Sequence, residues 1–244
     1  MSKIYLIVLG LLFAWNSSRG QVGYNYKQFG ISFEAGVERA YTNIPKENSN
    51  LFTDVKFIYN YSPYIPISAE LQFGTFSGGG LKPSDDSLGR AYPNHYESLI
   101  FHGDLQLGEV IDYQDSQFMS FLKNFYVGTG VGLMFTSNTV QRTSIYDPQY
   151  VFPGRNSSVN LVIPLRTGYE IKFYNEYEEP FFALNTGFNY NIVMGYSLSG
   201  YDDYISKNMH TRQDGYIQFT IGCKFYFGNT VGYNKIIRHL KSRK

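Results

Sequence analysis

The chain is nearly without cysteine and tryptophan, with one residue of each among 244. A single cysteine excludes an internal disulfide framework, so the fold must be stabilised by backbone hydrogen bonds and packing. The chain also lacks a charge excess, because 21 Lys and Arg balance 20 Asp and Glu to a formal net charge of +1. This balance gives no global electrostatic reason to expect nucleic acid as a partner.

Catalytic and metal-binding motifs are missing as well. There is no GxSxG nucleophile elbow and no HExxH segment, and the four histidines are scattered. Asp202, Asp203 and His210 form the best catalytic candidate, but a polar segment often contains such residues by chance. Cys223 has no evident base beside it in the sequence. We therefore expect no enzyme, no cofactor and no metal site; a lipid- or peptide-modifying enzyme is the weakest alternative.

One apolar run stands at the N-terminus and is too short to span a bilayer. It reads "IYLIVLGLLFAW" after Lys3, and "NSSRGQ" follows, with the small residues Ser18 and Gly20 before Gln21. A basic residue, a short apolar run and small residues in this order indicate a secretory signal peptide, assigned to residues 1–20. The mature chain is therefore expected outside the cytoplasm.

Aromatic residues are abundant, with 23 Tyr and 20 Phe, residues that favour strands and membrane interfaces. They often follow a period of two. In "DGYIQFTIGCKFYFG", residues 214–228, apolar side chains from Ile217 to Phe227 alternate with polar or small ones. Such alternation places one apolar and one polar face on a β-strand.

The same alternation recurs in seven other segments, which begin near residues 29, 51, 67, 98, 125, 159 and 181. The sequence therefore predicts an all-β fold of eight antiparallel up-and-down strands over residues 21–228. Long polar connections alternate along the chain with shorter turns such as "SPYIP" and "NEYEEP", which is typical of an outer-membrane barrel with long extracellular loops and short periplasmic turns. A soluble barrel has no reason to sort its loops in this way.

In a membrane barrel the apolar face contacts lipid, and aromatic residues are enriched at both interfaces. The outer of these two girdles is predicted at Tyr41, Phe76, Tyr96, Phe135, Tyr190 and Tyr216, and the periplasmic one at Phe29, Tyr61, Phe125, Phe173, Phe182 and Phe227. Outer-membrane lipid is therefore the first expected partner.

The signal peptide, the strand–turn–strand segment "NYSPYIPISAELQFGTFSGGG" and the closing strand over 214–228 together resemble the small outer-membrane β-barrel proteins of the Bacteroidota, which look like the transmembrane domain of OmpA-type proteins. The resemblance implies a multi-pass outer-membrane location, a structural, adhesive or secretion-associated role, and protein partners in the envelope or secretion machinery. The segment "NTVGYNKIIRHLKSRK" departs from that pattern, and residues 229–244 are expected to form a basic periplasmic tail.

The polar faces should fill the interior with charges of both signs. They comprise Glu34, Glu38, Asp54, Lys56, Glu70, Asp104, Arg166, Glu170, Lys172 and Lys224, together with His102. An eight-stranded barrel is just wide enough for side chains to fill, so these groups are predicted to form an ion-pair network that plugs it. A narrow porin-like conduit is the alternative reading.

The glycines of "GTGVG", Gly128, Gly130 and Gly132, are expected to have a steric role within one strand. They would leave room for Arg166 on the next strand and Asp104 on the preceding one to reach across, with Asp104 or Glu170 as the partner of Arg166. A nucleotide-binding loop would instead need a strand, a turn and a helix. The expected function is a structural or binding role through the extracellular loops.

Overall fold

Eight antiparallel strands form a closed barrel, in which each strand pairs with its neighbour in sequence and the last pairs with the first. The computed structural model describes residues 24–82, 84–113, 116–195, 198–202 and 214–233. The strands are β1 (Tyr24–Tyr41), β2 (Ser49–Ser62), β3 (Ile65–Gly79), β4 (Ala91–Gln106), β5 (Phe125–Asn138), β6 (Ser157–Tyr174), β7 (Pro180–Met194) and β8 (Gly215–Tyr233). The predicted eight-stranded up-and-down barrel is confirmed. The predicted signal peptide, Asp203, His210 and residues 234–244 of the predicted tail lie outside the described residues.

The strands are 14 to 19 residues long, longer than the 9 to 11 or so that a tilted strand needs to cross a bilayer. β8 continues to Tyr233, whereas the sequence pattern placed the barrel end at residue 228. Its last residues pair with the start of β1, from Tyr24 with Tyr233 to Lys27 with Thr230, beyond a register shift between Lys27 and Phe29. The alternation of apolar and polar residues is interrupted at this shift. A period-two pattern therefore does not predict the extension of β8 beyond residue 228.

The two faces of the barrel wall are inverted relative to a water-soluble protein. On β8 the side chains of Phe219 and Ile221 are 55% and 65% exposed on the outside, whereas Gln218 and Thr220 on the inside are almost fully buried. The other strands repeat this pattern, with large apolar residues outside and polar residues inside. Apolar-out and polar-in alternation is the arrangement of barrels that stand in a lipid bilayer.

The connections at the two barrel ends differ. One end carries residues 63–64, 107–124 and 175–179, and the other carries residues 42–48, 80–90, 139–156 and 195–214. The sorting is less regular than the sequence suggested, because the first connection, 42–48, is short and 107–124 is long. Residues 107–124 contain a 3-10 turn, Leu107–Glu109, and the helix α1, Gln117–Leu122, whose N-cap Ser116 accepts a hydrogen bond from the Met119 amide. Among the described residues, no helix has the length and apolar character to cross a membrane.

Candidate functional site: the barrel interior and its outer mouth

The ten charged side chains predicted for the interior all project inward. Nine are buried, and the side chain of Asp104 is 11% exposed. They do not form a single ion-pair network. They divide into a central cluster, a rim cluster near the short-turn end, and Glu38, which stands apart. The central cluster consists of Glu34, Asp54, Lys56, Glu70, His102, Asp104 and Arg166, and the rim cluster consists of Glu170, Lys172 and Lys224 with Gln106 and Tyr226.

Lys56 is one organising cation of the central cluster. Its Nζ lies 2.6 Å from Glu34 Oε2, 3.4 Å from Asp54 Oδ1 and 4.0 Å from Glu70 Oε1. The strand register brings these groups together, since Glu34 pairs with Asp54 across β1 and β2 and Lys56 pairs with Glu70 across β2 and β3. Burial makes this attraction strong and makes the loss of either sign costly.

Arg166 is the second organising cation, and it joins carboxylates from two other strands. Its Nη1 donates to Glu70 Oε2 at 2.9 Å, and its Nε lies 3.3 Å from Asp104 Oδ1. His102 lies between the same carboxylates, with Nε2 3.0 Å from Glu70 and Nδ1 3.4 Å from Asp104. The pairing with Asp104 was expected. Glu170 was the wrong second candidate, because it lies four positions along β6 from Arg166, about 13 Å for an extended chain.

The glycines of β5 provide the space that this arrangement needs. Gly128 pairs with Asp104 on one side and with Arg166 on the other. A Cβ atom at Gly128 would overlap the carboxylate of Asp104, and one at Gly130 would overlap the Phe101 carbonyl oxygen and the His102 Cβ. The steric role inferred from the sequence agrees with this geometry.

The rim cluster is held by hydrogen bonds as well as charge. Glu170 accepts from Lys224 Nζ at 3.3 Å, from Gln106 Nε2 at 3.0 Å and from the Tyr226 hydroxyl. Lys172 donates to Gln106 Oε1 and to the Pro63 carbonyl, both at 2.7 Å. Because residue 63 belongs to the turn between β2 and β3, Lys172 ties that turn to the inner wall of β6.

A gap of about 20 Å³ lies between the two clusters. It is lined by Glu34, Lys56, His102, Asp104, Arg166, Glu170 and Lys224, among other residues. A gap of this size holds about one water molecule. In the described part of the chain, no group of three His, Cys, Asp or Glu side chains is arranged to hold a metal ion.

Glu38 departs from the ion-pair prediction. Its carboxylate accepts hydrogen bonds from the Tyr96 hydroxyl at 2.6 Å and from Gln218 Nε2 at 3.1 Å. No Lys, Arg or His among the described residues forms an ion pair with it. Both of these donors are neutral and both reach Oε2, so Glu38 belongs to an aromatic and amide layer above the charged clusters.

That layer contains three side chains that the sequence assigned to the outer girdle. Phe76, Tyr96 and Tyr216 are buried inside the barrel, and their ring centroids are 4.6 to 6.0 Å apart. The assignment was wrong because it considered only height along the strand. The side chain of His102, for example, points inward. Tyr96 lies an even number of positions from His102 on the same strand, so its side chain points inward as well.

The barrel end that carries the connections 42–48, 80–90, 139–156 and 195–214 is covered by side chains of their described residues, here called the mouth cap. Ile44, Phe152, Leu198 and Tyr201 are buried and join the aromatic layer in one apolar cluster. The Tyr201 hydroxyl donates to the carbonyls of Ala91 and Gln141 at 2.9 and 3.1 Å, and Asn94 donates to the Leu198 carbonyl at 2.6 Å. The mouth cap escaped sequence analysis because its apolar residues are isolated within polar segments.

Glu47, in the connection between β1 and β2, is a buried carboxyl of the mouth cap. It accepts hydrogen bonds from the Thr42 hydroxyl at 2.5 Å and from the Tyr92 hydroxyl at 2.6 Å. Burial raises the pKa of Glu47 to about 7, and this effect outweighs the two hydrogen bonds, which lower it. The first connection is therefore fastened to β4 by a group that titrates near neutral pH.

Comparisons with known proteins give structural neighbours only. No family model and no curated protein sequence matches the chain. Neisserial surface protein A is similar at 10% identity and a TM-score of 0.45, over 82% of this chain and 97% of that one. Ail, the attachment invasion locus protein of Yersinia pestis, is similar at 12% identity and 0.42, over 83% and 99%. The outer membrane protein AlkL is similar at 16% identity and 0.39, over 93% and 99%. These solved neighbours are small eight-stranded outer-membrane barrels.

Proposed function

We propose that the protein is a non-conducting outer-membrane β-barrel, without catalytic activity, that has a structural or binding role through its extracellular loops. The observation that carries this proposal is the mouth cap, where buried loop side chains continue the packed interior to the outer end. A barrel that is filled along its axis has its accessible surface on the loops and on the apolar outer wall. Membership among the small outer-membrane barrels of the Bacteroidota is part of the proposal.

The orientation follows from the chain direction. β1 begins and β8 ends at the end with residues 63–64 and 175–179, which we assign to the periplasm because a chain delivered from there crosses an even number of times. The mouth cap then faces the exterior. Outer-membrane lipid contacts the apolar wall, and protein partners in the envelope or secretion machinery are proposed for the loops.

A candidate contact surface lies on top of the mouth cap, and we call it the loop patch. It consists of Leu81, Ile145, Tyr146 and Val151, which are 38% to 61% exposed. Tyr146 donates a hydrogen bond to the Leu81 carbonyl at 3.1 Å, and a bridge between Thr143 and Val151 holds the segment as a small hairpin. Ordered, exposed apolar side chains on a loop are typical of contact surfaces.

Two measurements test the proposal. In planar bilayers the purified protein should show no steady conductance, with an open porin in the same bilayers as the positive control. In intact cells a photo-reactive residue at Tyr146 should form a discrete adduct that disappears when Leu81 and Val151 are both replaced by Ser. Gln149, exposed in the same hairpin, is the matched control position. Steady ion currents, with no specific adduct at Tyr146, would show that the protein is a channel.

A further inference from the structure

The connection between β4 and β5 exposes more large apolar side chains than its neighbours at the same barrel end. Val110 and Phe118 are 64% and 63% exposed, and Phe121 is 43% exposed. In contrast, Tyr64 in the connection 63–64 is fully buried, and the connection 175–179 carries three glutamates. The connection 175–179 also exposes Tyr177, at 78%, but the exposed aliphatic and phenylalanine side chains at this barrel end are confined to the connection 107–124.

Helix α1 lies beside the outer wall of the barrel. The Phe121 ring stacks on the Tyr169 ring at a centroid distance of 5.0 Å, and the Tyr169 hydroxyl donates to the Phe121 carbonyl at 2.8 Å. Tyr169 is four positions from Leu165, which is 49% exposed on the outer wall of β6. Residues an even number apart on a strand share a face. The Phe121 ring is therefore continuous with the apolar outer wall.

The two phenylalanines of α1 point to the same side. Phe118 and Phe121 are three positions apart, which places them on one face of a helix. The Ser116 side chain caps the N-terminus of α1, with its oxygen 3.5 Å from the Met119 amide nitrogen. Short amphipathic segments with aromatic residues on one face lie along the boundary between headgroups and acyl chains.

We propose that α1 is an interfacial anchor, which inserts Phe118 and Phe121 into the periplasmic leaflet of the outer membrane. This inference rests on the proposed membrane location of the barrel. Lipid is the occupant that the structure favours, since the exposed phenylalanine face adjoins the apolar wall that lipid covers. The connection 175–179, with its glutamates, stays in water at the same end of the barrel.

Tryptophan reporters test the anchor. The only native tryptophan, Trp15, lies within the predicted signal peptide. The mature protein is therefore expected to have no tryptophan fluorescence of its own. Phe118→Trp is compared with Tyr177→Trp, whose side chain is 78% exposed, and with Leu133→Trp, on the outer wall of β5. Each variant is reconstituted into phosphatidylcholine vesicles with brominated acyl chains. Retention of the heat-dependent gel-mobility shift shows that it has folded.

The reporter at residue 118 should be quenched by bromine and emit at shorter wavelength, with quenching roughly twofold or more stronger than at residue 177. Quenching at residue 133 but not at residue 118 would overturn the anchor and leave the barrel intact. No quenching at residue 133 would instead refute the membrane location itself. Shielding of residue 118 from both bromine and aqueous iodide would show that a second copy or another protein covers this face, and would also overturn the proposal.

Discussion

A single buried guanidinium, that of Arg166, connects carboxylates from β3 and β4 across the barrel interior. Replacing it by alanine would leave Glu70 and Asp104 facing each other without that cation. We expect Arg166→Ala to lower the free energy of unfolding by about 3 to 5 kcal/mol. The change should be measurable as a lower temperature for the gel-mobility shift in SDS.

The control for this substitution is Arg39→Ala, because Arg39 is exposed on the outside of β1 and its loss should have little effect. Combining Arg166→Ala with Glu70→Gln should cost less than the sum of the two single changes, since the two residues interact directly. Additive losses would mean that the 2.9 Å contact contributes no coupling and that the central cluster stabilises the barrel by packing alone.

Glu47 gives the mouth cap a pH dependence. Its pKa is 4.5 in the unfolded reference and about 7 in the folded protein, so the folded state binds more protons between these values. The stabilisation is therefore fully present below pH 4.5 and is lost as the pH rises through 7, by up to about 3 kcal/mol. Hydrogen exchange of amides in residues 42–48 should accelerate over this range.

Glu47→Gln removes the titrating group and keeps acceptor and donor atoms. The variant should show little change in protection between pH 4.5 and pH 8 after correction for intrinsic exchange rates. If the variant keeps the wild-type pH profile, another group of the mouth cap controls the loop.

At the scale of the element, the close approach of β5 to β4 requires glycine, without a side chain, at inward-facing positions of β5. Gly130→Ala would push a methyl group into the Phe101 carbonyl oxygen and the His102 Cβ, both fixed by the β4 ladder. We expect a loss of about 1 to 3 kcal/mol. Gly103→Ala, in β4, is the matched control because no atom lies within 4 Å of the added Cβ. Thermal denaturation of both variants compares them, and equal stability would refute the close-packing argument.

The sequence predicted the strands well because period-two alternation is a local property of the chain. It also identified the inward charges, such as Lys56 and Arg166, by the same rule. It could not pair Arg166 with Glu70, because they stand on β6 and β3 and meet only once the barrel has closed. Helix α1 could not be predicted by pattern either, since its six residues are too few to establish a 3.6-residue period.

At the scale of the whole molecule, the proposed orientation makes a labelling prediction. In a Cys223→Ala background, cysteines introduced at Ser87 and Gln149 should react with an impermeant maleimide on intact cells. Cysteines at Asp112 and Glu178 should react only after the outer membrane is permeabilised. All four residues are exposed to solvent in the structure. A difference in labelling between the two pairs would therefore report the side of the membrane and not burial. A reversed pattern would mean that the barrel is inverted.

The closure of β1 on β8 also sets the order in which the barrel can form. Ser32 donates a hydrogen bond to the carbonyl of Cys223, 191 positions later in the chain, whereas β2 and β3 are joined by two residues, 63 and 64. Bringing together ends so far apart costs about 5 kcal/mol of chain entropy if nothing has yet folded between them. Successive hairpins remove most of this cost by forming first. The pairing of β1 with β8 is then the last to form. Until that moment the nascent sheet has two open edges, which makes its assembly slow and dependent on protection from aggregation.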